Sequence, residues 1–227
     1  ASQADPDHRL VLVADIDGAR AERVAGEIGG AARACVADVS KGADFKRMVD
    51  EAIAAFGRLD VVVNNAGTTH KNQPMLEVDE ATYDRVFAVN VKSIYWSAQH
   101  AVPVFRQQGG GCFVNIASTA GLRPRPGLTW YNGSKGAVIT ISKSMAVELA
   151  PDRIRVNAIC PVIGETGLTA EFMGGDSPEL RARFVATIPL GRMSRPSDVA
   201  AAAVFLASDE AEFFTGVALE VDGGRCV

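Results

Sequence analysis

Six short apolar runs, rich in β-branched residues, constrain this chain more than any other feature: RLVLVAD (9–15), ARACVADV (32–39), LDVVVNNAG (59–67), GCFVNIAS (111–118), IRVNAICP (154–161) and GVALEVDGG (216–224). Runs so uniformly apolar suit strands covered on both faces, the situation of a parallel sheet between helices. Helical spacing fills the intervals. From Ser40 as N-cap, Phe45, Met48, Val49, Ala52, Ile53 and Phe56 recur up to Gly57. Further helices start near Asp79 and run past Asn90, start near Trp130 and end near Pro151, and follow Ser197 over Val199–Ala207. The alternation predicts an α/β fold with a doubly wound, mostly parallel sheet in a single domain over 1–227. The stretch Val162–Arg195 breaks the rhythm with Gly and Pro and is expected to form a substrate lid.

Bulk properties exclude several functions. A net charge of −4 offers no electrostatic footprint for nucleic acid. No apolar run is long enough to cross a bilayer, and neither a membrane span nor a leader is expected. Cys35, Cys112, Cys160 and Cys226 lie far apart without zinc spacing, so reduced thiols, no metal site and a cytoplasmic setting are expected.

In an open parallel sheet, ligands lie beyond the carboxyl ends of the strands. Asp15, Asp38, Asn64, Asn65, Ser118 and the loop after Pro161 all fall there. Tyr131 and Lys135, four positions apart, share one face of the helix that follows Ser118. A phenol ionises near pH ~10, so a base working near neutrality needs roughly 4 kcal/mol of help, which Lys135 and a cationic nicotinamide ring could together supply. Ser118 would hold an alcohol or carbonyl oxygen in line with that phenol. Proton transfer at such an oxygen is the chemistry suggested.

The motifs NNAG (64–67), Asn90 within NVKSIYWSA, Ser118, YNGSK (131–135), RVNAICP (155–161) and EVDGG (220–224) stand in one order. Together they resemble the short-chain dehydrogenase/reductase family, with its Rossmann-like sheet. The resemblance implies an NAD(H)-dependent oxidoreductase that interconverts a secondary alcohol and a ketone. It implies Tyr131 as acid/base, Lys135 lowering its pKa and holding the nicotinamide ribose, Ser118 orienting substrate, and Asn90 holding a water that links Lys135 to solvent. It also implies cofactor contacts at Asp15, Asp38, Val39, Asn64, Ala66, Gly67 and Thr166, with a small alcohol or carbonyl as substrate and a homo-oligomer, dimer or tetramer. Asp15 points to NAD over NADP, because a carboxylate accepts hydrogen bonds from the adenosine 2′-OH and repels a 2′-phosphate.

The chain departs from that pattern twice. Pro161-Val162 stands where Pro-Gly is usual, with Gly164 displaced. The strand and glycine-rich turn with which the family begins have no counterpart before RLVLVAD, and the expectation is that they lie upstream in a longer protein. A truncated, catalytically idle relative serving as a structural or binding subunit is the rival reading. An epimerase or dehydratase using the same cofactor is a further one that no residue favours. In GLRPRPGLTW (121–130), Arg123 and Arg125 are able to read an anionic substrate group, but solvent-facing arginines on a proline-stiffened loop are expected. Trp130, Leu168, Phe172 and Met173 are candidates for an apolar pocket wall.

Overall fold

The computed structural model describes residues 10–165 and 169–227. Its strands are β1 (Val11–Asp15), β2 (Ala32–Val36), β3 (Val61–Asn64), β4 (Gly111–Ile116), β5 (Ile154–Pro161) and β6 (Ala218–Val221). The helices are α1 (Gly18–Ile28), α2 (Gly42–Phe56), α3 (Glu80–Phe87), α4 (Ser93–Gln108), α5 (Thr129–Leu149), α6 (Thr169–Met173), α7 (Pro178–Val185) and α8 (Pro196–Ala207). All strand pairs are parallel, as uniformly buried strands require, and each strand lies within the run predicted for it.

The sheet is divided. β1 pairs with β2, while β3, β4, β5 and β6 form a separate four-stranded sheet in that order. The facing strands β1 and β3 are not paired, and both line one cavity of about 1800 Å³. α2 joins the two parts. Its Phe45, Met48 and Val49 pack on Cys35 and Ala37 and on Leu12 of β1, and the same cluster takes in Val62 of β3.

The four-stranded sheet is covered on both faces. On one, Phe105 of α4 meets Phe113 of β4 edge-on at 5.1 Å, with Ala146 and Leu149 of α5 closing the cluster over Ile154 and Val156. Both rings are fully buried, and truncating such a phenylalanine to alanine costs ~3–5 kcal/mol. On the other face Leu206 of α8 packs on Cys112, Val114 and Ile159. Among the described residues no helix is long and apolar enough to cross a membrane.

Two local expectations are corrected. Ser40 is not the N-cap of α2; Lys41 occupies that position, because the Ser40 hydroxyl donates to Asp38 Oδ1 at 2.7 Å instead. α1 has no counterpart among the predicted helices. Its buried face consists of Ala21 and Ala25 alone, too slight an apolar stripe to stand out, and Asp17 caps it by accepting from the amides of Ala19 and Arg20.

Candidate active site

The loop that leaves β4 turns at Ser118. The serine hydroxyl accepts from the amide of Ala120 at 3.1 Å and caps a 3-10 turn over Thr119–Gly121. That turn rests directly on α5, because Gly121 has no side chain: a Cβ there would come within 2.7 Å of the Lys135 carbonyl carbon. The close approach sets Ser118 beside Tyr131 and Lys135 in the first turns of α5, and all three line the cavity.

Tyr131 is buried against Ala120 and Leu128, with the Phe172 ring 5.0 Å away. Burial pushes its phenol up to about 12, opposed by a hydrogen bond with Ser118 and by the charge of Arg125. The expected depression by Lys135 is therefore not supplied by the protein alone. The Lys135 Nζ lies 5.9 Å from the centroid of the tyrosine ring and donates to the carbonyl of Ile116 at 2.7 Å. Burial pushes Lys135 itself down to about 8. The resting pair thus combines a protonated phenol with an amine able to gain or lose a proton near neutrality.

Asn90 stands behind the cavity wall in a π-helical turn, Ala88–Lys92, between α3 and α4. Its Oδ1 accepts from the amide of Thr68 at 2.8 Å, and its Nδ2 donates to the Thr68 carbonyl and to Ser134 Oγ. Asn90 therefore anchors the loop after β3 to α5, next to Lys135. The water-holding role stays a proposal. π-turns inside helices are frequent at functional sites, a signal that apolar periodicity does not carry.

The remaining cofactor candidates line the same cavity along the strand ends: Asp15, Asp38, Val39, Asn64, Ala66 and Gly67. Asp15 Oδ1 accepts from the Asp17 amide at 2.9 Å. Asp38 accepts from the amide and hydroxyl of Ser40, which hold its carboxyl below the usual range, while its own amide donates to Asp44. The Asn64 amide is engaged elsewhere: it donates to Ser97 Oγ at 3.0 Å and to Asn115 Oδ1 at 2.7 Å, and Asn115 in turn donates to Ser142. This polar chain ties β3 and β4 to α4 and α5, and the sequence reading missed it beyond Asn64. Thr166 and Leu168 lie outside the described residues.

The loop before α5 differs from expectation. Arg123 and Arg125 line the cavity, and Arg125 is half-buried with its guanidinium 4.4 Å over the Phe184 ring. Trp130 turns the other way, donating to the Met75 carbonyl and packing edge-on against Tyr83. Of the proposed wall, Phe172 lines the cavity, whereas Met173 is buried beside it.

Residues 4–225 match the family model described as enoyl-(acyl carrier protein) reductase. The chain belongs to the short-chain dehydrogenase/reductase family. It is 58% identical to a 4-formylbenzenesulfonate dehydrogenase of Comamonas testosteroni over 197 residues, covering 86% of this chain and 78% of that protein. It is similar to the NADH complex of a 3-ketoacyl-(acyl-carrier-protein) reductase from Brucella melitensis, with a TM-score of 0.91 and 46% identity over 96% of this chain and 88% of that one. A xylitol dehydrogenase bound to NAD+ superposes with a TM-score of 0.88 at 26% identity, over 95% of this chain and 88% of that one.

Proposed function

We propose that this member of the family is an NAD(H)-dependent dehydrogenase or reductase that interconverts an alcohol, secondary in the first instance, and its carbonyl partner. The observation that carries the reading is Tyr131 buried beside Ser118, with Lys135 under its ring, in one cavity with Asp15. The residues present fit the adenosine and nicotinamide-ribose parts of the dinucleotide, while the glycine-rich turn that would hold its pyrophosphate has no counterpart among them. Asp15 ends β1 with a carboxylate at the cavity wall, as recognition of an unphosphorylated adenosine ribose needs, and Asp38, Val39 and the Asn64–Gly67 turn continue that wall toward Lys135. When bound, the cofactor supplies or accepts the hydride at the carbinol carbon.

The protein's part is the second proton. For carbonyl reduction, Ser118 donates a hydrogen bond to the substrate oxygen, and Tyr131 Oη, protonated at neutral pH, delivers its proton as that oxygen gains charge. For alcohol oxidation, Tyr131 receives the proton instead, and its high resting pKa makes this direction favour higher pH. Lys135, with a pKa near neutrality, restores the proton balance of the phenol, and Asn90 would hold the water through which it exchanges with solvent. The intact Ser118, Tyr131 and Lys135 arrangement speaks against an idle binding subunit. The aldehyde named for the Comamonas relative favours an aryl carbonyl as an alternative to a ketone, since Phe172 and Phe184 line the cavity. The same reading includes a cytoplasmic setting, supported by four free cysteines, and assembly as a dimer or tetramer.

The test is Tyr131→Phe. It removes the transferable proton and is expected to lower turnover by ~10²–10⁴-fold while NADH affinity, read by titration calorimetry, stays within about twofold. Turnover equal to that of the unmodified protein defeats the assignment.

A further inference from the structure

Near Tyr131 the cavity wall carries three arginines, Arg123 and Arg125 from the loop before α5 and Arg225 from the far end of the chain. Among the described residues, none of the three forms an ion pair with a carboxylate. Each is held in place by other means. Arg123 donates to the carbonyl of Arg225 at 2.6 Å. Arg125 lies over Phe184, and among the described residues its guanidinium makes one hydrogen bond, a long one of 3.4 Å to the carbonyl of Phe172. Arg225 sits on a turn organised by the buried Asp222, whose two oxygens accept from the amides of Gly224 and Cys226. The nearest carboxylate in sequence is therefore spent on the backbone.

A half-buried guanidinium without a counter-ion is costly, because desolvation penalises the charge and the Phe184 ring returns only part of the loss. Burial, and then the like charge of Arg225, make the charged form of Arg125 less favourable. Such an arrangement is relieved by an anion. Guanidinium groups suit planar or tetrahedral oxyanions, which they bind through paired N–H donors. The aromatic rings of Phe172 and Phe184 beside them suit an apolar body carrying that anion.

We propose that Arg125, together with Arg123 and Arg225, forms a subsite for an oxyanion group, carboxylate or sulfonate, on an aromatic substrate whose reacting carbon lies at Tyr131. The proposal rests on the alcohol–carbonyl reading for the position of the reacting carbon only. The anion site itself does not depend on turnover.

The experiment uses the full chain, Arg125→Gln and Arg125→Lys, and two measurements. The first is kcat/KM for 4-carboxybenzaldehyde relative to benzaldehyde. The unmodified protein is expected to prefer the charged aldehyde, and Arg125→Gln to lower that ratio by about 10- to 100-fold, chiefly through KM, with Arg125→Lys retaining part of it. The second is binding of inert benzoate, benzenesulfonate and neutral benzamide by calorimetry. Both anions are expected to bind in preference to benzamide, and Arg125→Gln to abolish that preference; binding of one anion alone assigns the subsite to that group. A ratio unmoved by Arg125→Gln, or benzoate, benzenesulfonate and benzamide binding alike, overturns the proposal. If neither aldehyde turns over while anion binding depends on Arg125, the reaction reading fails and the anion site stands. Should Arg125→Gln not fold, as judged by its thermal melt, Arg123→Gln and Arg225→Gln read the same ratio and the same preference, and insensitivity in both overturns the proposal.

Discussion

Lys135→Met offers the most direct reading of the site's electrostatics, because the lysine is buried and its ionisation is linked to folding. In the native state burial holds the ammonium near pKa 8, whereas in the unfolded chain it ionises near 10.5. Between those values the unfolded chain binds more protons, so stability rises with pH. Below about 8 both states are protonated and the native state carries the full desolvation cost, roughly 3 kcal/mol. The unmodified protein should thus gain about 2–3 kcal/mol between pH 7 and pH 10 that Lys135→Met does not gain.

Two neighbours set the upper limit. Tyr131, pushed up to about 12, contributes stability of the opposite sign, complete below the free phenol pKa of ~10 and lost as pH rises through 12. Cys160, also pushed up to about 12 by burial, stays a neutral thiol in the native state while the unfolded thiol ionises near 9, so it too lowers stability above that pH, equally in both proteins. Methionine leaves the Ile116 carbonyl without its 2.7 Å donor, a penalty of ~1–3 kcal/mol that does not vary with pH and cancels in the comparison. Urea unfolding of both proteins at pH 7, 8.5 and 10 is the assay. A difference between the two that stays constant within about 0.5 kcal/mol refutes the depressed lysine, and with it the proton-exchange role.

Two further outcomes follow from the cofactor end and the surface. Asp15→Ala is expected to narrow the preference for NAD(H) over NADP(H) by roughly tenfold, through relief of repulsion on a 2′-phosphate; steady-state kinetics with both cofactors check this, and an NADP(H) preference in the unmodified protein contradicts it. Val204 of α8 and Phe213, Phe214 and Leu219 near β6 are exposed, so a two-fold dimer or tetramer is expected, and light scattering showing a monomer at micromolar concentration counts against it.

What the sequence made legible was what periodicity and position encode. The six strands, the long α5 and the convergence of Ser118, Tyr131 and Lys135 follow from apolar runs, helical spacing and the rule that polar residues at strand ends meet. What stayed hidden depends on partners remote in sequence. α1 buries only two alanines, so no stripe marks it. Whether the Asn64 amide faces a ligand or the protein depends on Ser97 and Asn115, on neighbouring elements. Arg125 reads as a solvated arginine because nothing local shows Phe184 folding beneath it or Arg225 arriving from the far end of the chain. The raised pKa of Tyr131 was likewise out of reach, since spacing places an ammonium near a phenol but cannot weigh it against burial.

Charges of both signs line the cavity, and two groups of them bear on how a reaction is directed there. Asp15 and Asp38 line it after β1 and β2, with Arg20 on the same wall, and Arg123, Arg125 and Arg225 line it near Tyr131. At Asp15 the carboxylate accepts hydrogen bonds from the hydroxyls of an unphosphorylated adenosine ribose and repels an anionic group set directly against it. At the arginine end the preferences reverse. An anionic substrate group is therefore favoured at the arginines rather than against Asp15, which leaves the Asp15 wall to the adenosine of the dinucleotide and lets the reacting ends meet beside Tyr131. Substituting Arg125 by a neutral residue should then weaken selection against wrongly placed substrate as well as affinity for correctly placed substrate. An anionic inhibitor that is uncompetitive with NADH in the unmodified protein would become partly competitive in Arg125→Gln, a change that loss of a single contact at the substrate end alone would not produce.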